Sequence, residues 1–164
     1  MSPSIVDIEK AVQVLTAKGV EFIVIGGVAA ALHGSARATF DLDVVYSRTR
    51  ENIRRLASAL QPYSPYLRGA PPGLPFRWDE QTIEHGLNFT LVTSFGPMDL
   101  LGEVVGGGAY HDLLPHADEI LAFGVPVRRV RLDKLIQLKR AAGRPKDLEA
   151  VAELQALLEE KSAG

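Results

Sequence analysis

The sequence predicts an α+β fold, an α/β mixed sheet with helices packed on it and a helical pair at its C-terminal end. Three patterns predict it. Apolar residues recur at helical spacing near both ends, short β-branched runs ended by glycine lie between them, and pairs of later runs are joined by turns short enough for hairpins. With 164 residues and 46% hydrophobic content, one domain is expected over residues 1–164, its core spanning about 20–130 and its closing helices about 132–160.

In chain order, Ile5, Ile8, Val12 and Leu15 share a helical face over residues 4–18, with Ser4 and Asp7 as a capping box and Gly19 as the terminating residue. Residues 20–25, within "VEFIVIGG", form a buried strand, and the alanine-rich "VAAALHG" that follows is a short helix stopped at Gly34. From Arg37 the chain alternates, so Arg37, Thr39, Asp41 and Asp43 share one side of an extended segment and Phe40, Leu42 and Val44 the other. A helix over 49–60 is built around Ile53, Leu56 and Leu60, and the Pro/Gly-rich "QPYSPYLRGAPPGLPFRW" reads as a long surface loop. "GLNFTLV" and "MDLLGEV", joined by "TSFGP", read as a hairpin; after "GGG" a helical turn leads to a second hairpin around Gly124. Two helices, 132–142 and 145 to about 159, close the chain, with Gly143 between them and Pro145 acceptable in a first turn.

Composition narrows the function. The formal net charge of −2 exerts no global pull on nucleic acid or acidic lipid, so any polyanion contact has to be local. Zero cysteines exclude disulfides, thiolate metal sites and a cysteine nucleophile. The Met-Ser-Pro start has no signal-peptide pattern, and no run approaches the roughly 18–20 apolar residues of a membrane span, so a cytoplasmic chain with no membrane partner is expected. His33, His85, His111 and His116 lack zinc-site spacing.

Asp41 and Asp43 stand at i and i+2, where a strand projects both carboxylates from one face, close enough to repel unless a cation lies between them. Mg²⁺ suits such a pair, because it favours carboxylate oxygens and completes its shell with water and substrate phosphates. A bare D-x-D reads more often as a solvated face. Here, however, a strand ends in Gly26-Gly27 at a helix start, where backbone N–H groups and the helix dipole can hold a phosphate. Neither a P-loop nor a Rossmann glycine motif is present.

Gly-Gly, a short helix and then "GSARATFDLDVV" resemble the signature of the DNA polymerase β-like nucleotidyltransferase superfamily. The fuller pattern, Gly-Gly with Ala following, then Gly-Ser, Arg, Thr, Asp and Asp, is similar to the AbiEii-type and minimal nucleotidyltransferase toxin families. "LDKLIQLKRAAGRPKDLEAVAEL" resembles the helical segment of the same families, with a Lys on one helix and a Lys-Asp pair opening the next. The resemblance implies a nucleotidyltransferase fold and a third carboxylate from a later strand, for which Asp99 in "FGPMDLLGEV" is the candidate. It implies that Asp41, Asp43 and Asp99 are catalytic and bind metal, with two Mg²⁺ ions expected, and that an NTP is bound by Gly26, Gly27, Arg37, Thr39 and Lys139. Lys139 borders the stripe of Leu132 and Ile136, so its stem can pack while its ammonium reaches a triphosphate. Arg37 reads equally as a phosphate ligand or a structural partner of Asp41. Arg144, Lys146 and Asp147 read as helix-start and docking residues, Asp147 being suited to the helix dipole.

The expected function is Mg²⁺-dependent transfer of a nucleoside monophosphate from an NTP to an acceptor hydroxyl. By the resemblance, the acceptor is a tRNA 3′ end or a protein side chain, and the setting a toxin–antitoxin pair with a cognate antitoxin. The alternative is a non-catalytic nucleotide- or metal-binding module acting through a protein partner. A third reading, transfer to a small-molecule hydroxyl, would use Asp79, Glu80 and Glu84 as an acidic acceptor pocket. Trp78 with Arg77 reads as a base-stacking pair or as core cover, and Arg128, Arg129 and Arg131 as RNA contacts or a solvated strand face. An open acceptor cleft is expected beside the Pro-rich loop.

Overall fold

The computed structural model describes residues 6–163. Asp7 caps helix α1 (Ile8–Ala17) by accepting from the Lys10 amide at 3.2 Å, and Ala11, Val12 and Leu15 bury its apolar face. Ser4 and Ile5, which the sequence pattern assigns to this helix, lie outside the described residues. Strand β1 (Phe22–Ile25) is buried along its whole length and turns directly into α2 (Gly26–Leu32). A loop leads to β2 (Leu42–Tyr46), and Thr49 caps α3 (Arg50–Leu60). Asn52 of α3 then ties the two central strands together: Nδ2 donates to the Glu21 and Ser47 carbonyls at 3.0 and 2.7 Å, and Oδ1 accepts from the Glu21 amide at 2.6 Å. A buried amide with every arm engaged fixes the far ends of β1 and β2.

The remaining elements are β3 (Tyr66–Leu67), α4 (Glu80–His85), β4 (Asn88–Thr93), β5 (Gly96–Leu101), β6 (Glu103–Val104), β7 (Gly108–Ala109), α5 (Tyr110–Leu113), β8 (Ala117–Ala122), β9 (Val125–Val130), α6 (Leu132–Ala142) and α7 (Pro145–Ala163). Seven strands form one sheet in the order β3-β4-β5-β2-β1-β9-β8, while β6 and β7 pair separately. β2 with β5 and β1 with β9 are parallel, and the other neighbours are antiparallel. This is the mixed sheet the sequence predicts, with both expected hairpins (β4–β5 and β8–β9) and both closing helices in place. Along β4, Phe89, Leu91 and Thr93 are buried while Asn88, Thr90 and Val92 are exposed, so this part of the sheet packs on one face only.

Two expectations need correction. The extended segment does not begin at Arg37: pairing starts at Leu42, because β1 bends into α2 at Gly26 and its last partner is Asp43. Residues before Leu42 therefore have no strand beside them on that side. The stretch 61–78 is also not all loop, since Tyr66–Leu67 adds an edge strand to β4, and just beyond it Asp79 caps the short helix α4 by accepting from the Thr82 amide at 2.9 Å.

Candidate active site

The β2–β5 register sets Asp43 directly opposite Asp99, and opposed residues on neighbouring strands project to one side of the sheet. Asp41 sits just before β2. One carboxylate oxygen from each of the three lies within 4.8 Å of the others. At that separation, partly out of water, like charges resist ionising together. Burial first, then the charges of Asp41 and Asp99, push the Asp43 carboxyl up to about 8. Burial and Asp99 raise Asp41 too, against the opposing pull of Arg68 and Lys146. Asp43 Oδ1 is buried and has no hydrogen-bond partner among the described residues. An orphaned carboxylate oxygen flanked by two more carboxylates is a donor set that fits a hard divalent cation.

The glycine pair acquires a reason here that spacing alone does not supply. Gly26 has φ +67°, and a Cβ on it would overlap Asp43 Oδ2; a Cβ on Gly27 would press on Thr39 Cγ2 at 3.1 Å. Glycine is needed at position 26 so that the carboxylate can lie against the backbone. No side chain caps the first turn of α2.

Facing the carboxylates across a cleft of about 310 Å³ are Lys139 from α6 and Arg144 and Lys146 from the α6–α7 junction. Gly143 ends α6 in the left-handed region, which lets the chain reverse into α7. Asp147, in the first turn of α7, is 1% exposed. It accepts from the Arg144 backbone amide at 3.2 Å, from Nε at 2.6 Å and from Nη2 at 3.2 Å, and pairs with Lys139 Nζ at 3.7 Å. Burial alone would raise its pKa, but the Arg144 bonds and charge, with Lys139, outweigh that and hold it below the usual carboxylate range. Asp147 is thus an internal anchor for two cations. Nearby, Glu153 accepts from Ser35 Oγ at 2.7 Å and from the Ala36 amide at 3.1 Å, and Arg37 pairs with Glu149 at 3.8 Å. These contacts pin the 35–41 loop to α7, and Arg37 takes Glu149 rather than Asp41 as its structural partner.

Gly27, Arg37, Thr39 and Lys139 line the same cleft as the three aspartates, and Gly26 packs against Asp43. The sequence reading missed Arg68. Its Nη2 donates to Asp99 Oδ1 at 2.8 Å, and Nε and Nη2 both donate to the Leu91 carbonyl, at 3.2 and 2.8 Å. No periodicity marks it, because it follows an edge strand inside the Pro-rich stretch.

No family model and no curated protein matches this sequence. Solved structures do. A "putative nucleotidyltransferase" from Thermotoga maritima superposes with a TM-score of 0.57 over 93% of this chain and 91% of its own, at 16% identity. The lincosamide antibiotic adenylyltransferase LnuA, bound to lincomycin, gives a TM-score of 0.60 over 94% of this chain and 99% of its own, at 12% identity. The fold is that of the nucleotidyltransferases. At these identities the likeness fixes architecture and leaves chemistry to the site.

Within this nucleotidyltransferase fold, Trp78, Arg128 and Arg129, each with two readings, resolve toward packing. Trp78 is buried, its ring edge-on to Phe89 at 5.7 Å. Arg128 donates to the Tyr110 hydroxyl at 2.7 Å; Arg129 donates to Asp118 at 2.9 Å and to the Leu32 carbonyl at 2.6 Å. His33 is buried between the Val130 carbonyl at Nε2 and Lys161 at Nδ1. Asp79, Glu80 and Glu84 belong to α4 and its cap and do not line the carboxylate cleft. No described helix is long and apolar enough to cross a membrane.

Proposed function

We propose that the chain is a Mg²⁺-dependent nucleotidyltransferase that moves a nucleoside monophosphate from an NTP to an acceptor hydroxyl and releases pyrophosphate. One observation carries this reading: Asp41, Asp43 and Asp99 converge, with a buried oxygen among them that has no hydrogen-bond partner among the described residues, across a cleft from Lys139 and Lys146. Asp41, Asp43 and Asp99 would hold Mg²⁺, two ions when the triphosphate is bound, and the metal would supply charge neutralisation and a template for in-line displacement. The protein's own groups do the rest. Lys139, held by Asp147, neutralises phosphate oxygens, while Arg37 and Thr39 bind the triphosphate from the loop side. Gly26 and Gly27 keep that side free of side chains. Asp99 takes the proton of the acceptor hydroxyl as its oxygen attacks the α-phosphorus, and the bond from that phosphorus to the pyrophosphate oxygen breaks.

The acceptor in this reading is a tRNA 3′ end or a side-chain hydroxyl on a partner protein, in the cytoplasm, in an AbiEii-like toxin–antitoxin setting with a cognate antitoxin. The likeness of residues 26–45 and 132–154 to those families supports it, as does the open face of β4 beside Asp99, where Asn88, Thr90 and Val92 are exposed. The near-complete overlap with LnuA supports a second reading, a small-molecule acceptor. Pyrophosphate release from each NTP, measured with bulk tRNA, with lincomycin, or with neither, separates them. Release that needs tRNA and is lost in Asp43→Asn supports the first reading, and release with lincomycin alone supports the second. NTP binding with no release in any arm excludes tRNA and lincomycin as acceptors and leaves a partner-protein acceptor or the non-catalytic module. No NTP binding at all ends the nucleotidyltransferase reading.

A further inference from the structure

Among the described residues, Asp99 is the one member of the triad held in a salt bridge. The cation that holds it is placed by the sheet itself. Asp43 pairs with Asp99 and Asp99 with Thr90, so the three form one row across β2, β5 and β4, and Arg68, just past the end of β3, extends it, its amide donating to the Thr90 carbonyl at 3.0 Å. The row faces one side of the sheet. The Arg68 fork is fixed at three points, two on the Leu91 carbonyl and one on Asp99 Oδ1, and its side chain is only 31% exposed. A side chain fastened to its neighbour's backbone has little freedom to leave the carboxylate it touches. Its charge sits at the edge of a cluster carrying three carboxylates.

A fixed positive charge here acts oppositely on two forms of the same metal. A free divalent cation approaching the triad is repelled by the guanidinium, which already offsets part of the carboxylate charge. A metal–triphosphate complex is a net anion and is attracted by the same group.

We propose that Arg68 is the resident counter-cation of the triad and a positioning residue for Asp99, fixing one of its oxygens and biasing the site toward metal that arrives with a triphosphate over free metal. The inference rests on the nucleotidyltransferase reading of the cleft. It predicts opposite signs for one substitution, which loss of a purely structural contact does not produce.

The test is a pair of titrations on wild type, Arg68→Ala, Arg68→Lys and Asp43→Asn: Mn²⁺ alone, followed by electron paramagnetic resonance, and Mn²⁺ with each of the four NTPs, followed by calorimetry. Arg68→Ala should bind free Mn²⁺ about tenfold more tightly and the Mn²⁺–NTP complex about tenfold more weakly, whereas Arg68→Lys, which keeps the charge, stays within about threefold of wild type in both. Weakening of both by Arg68→Ala, or no change in either, overturns the proposal. Mn²⁺ binding that Asp43→Asn abolishes but Arg68→Ala leaves untouched overturns this inference alone. Absence of Mn²⁺ and Mn²⁺–NTP binding in wild type overturns the nucleotidyltransferase reading and this inference with it.

Discussion

Asp43 has a carboxyl that keeps its proton near neutrality while no cation lies beside it, because burial and two acidic neighbours penalise the charge. Its folded value of about 8 lies above the ordinary carboxyl value of 3.8, so between those two pH values the native chain binds a proton that the unfolded chain has lost. The stability this contributes is complete below about pH 4 and is lost as pH rises toward 8. For the metal-free protein we expect a decline on the order of 3 kcal/mol between pH 5 and 8.5. Urea unfolding at the two pH values measures it; Asp43→Asn should flatten the decline, and a wild-type stability that rises over this window would contradict the assignment. Gly26→Ala is the steric counterpart. It forces a strained φ and drives a methyl into Asp43, so a loss of roughly 1–3 kcal/mol and of Mn²⁺ binding is expected, checked by denaturant midpoint and metal titration. At this scale Asp41, Asp43 and the glycine pair were legible because their spacing carries the information, and Asp99 because it is the sole acid of its apolar run before Glu103. The packing of Gly26 against Asp43 and the reach of Arg68 were not, since both depend on which strands become neighbours.

The junction of α6 and α7 turns a sequence pattern into an electrostatic wall. Asp147 is buried at the start of α7 and gathers Arg144 and Lys139, so Asp147→Ala removes several charge-assisted bonds and an acid at a helix N-terminus. A destabilisation of about 2 kcal/mol is expected, with weaker NTP binding because Lys139 loses its tether. Thermal unfolding and NTP titration check the two effects; an unchanged NTP affinity would mean that Lys139 is placed by its own helix alone. The helices and hairpins were legible as elements because their apolar periods are long or their turns short. The start of β2 was not: alternation from Arg37 looked like a strand, but whether a strand pairs depends on where β1 stops. The short helix α4 escaped notice because its six residues, capped by Asp79, are too few to show a period.

The whole molecule places its carboxylates at a boundary in the sheet. On one side α2 packs on β1 and β2 and against α6, which in turn packs on α7, closing the cleft that contains the cations. On the other side the exposed residues of β4 leave the sheet open beyond Asp99. The triad therefore sits between a walled cleft lined by Lys139, Arg144 and Lys146 and an open face of the sheet. The fold's outline was legible from the order of its elements, whereas this asymmetry arises from the strand order, which no local pattern encodes. The most direct test is calorimetric titration of wild type and Asp43→Asn with each NTP, with and without Mg²⁺. At least one NTP is expected to bind in a way that requires Mg²⁺ and is lost in the variant while the variant stays folded. Equal binding by the two proteins, or binding indifferent to Mg²⁺, would contradict it.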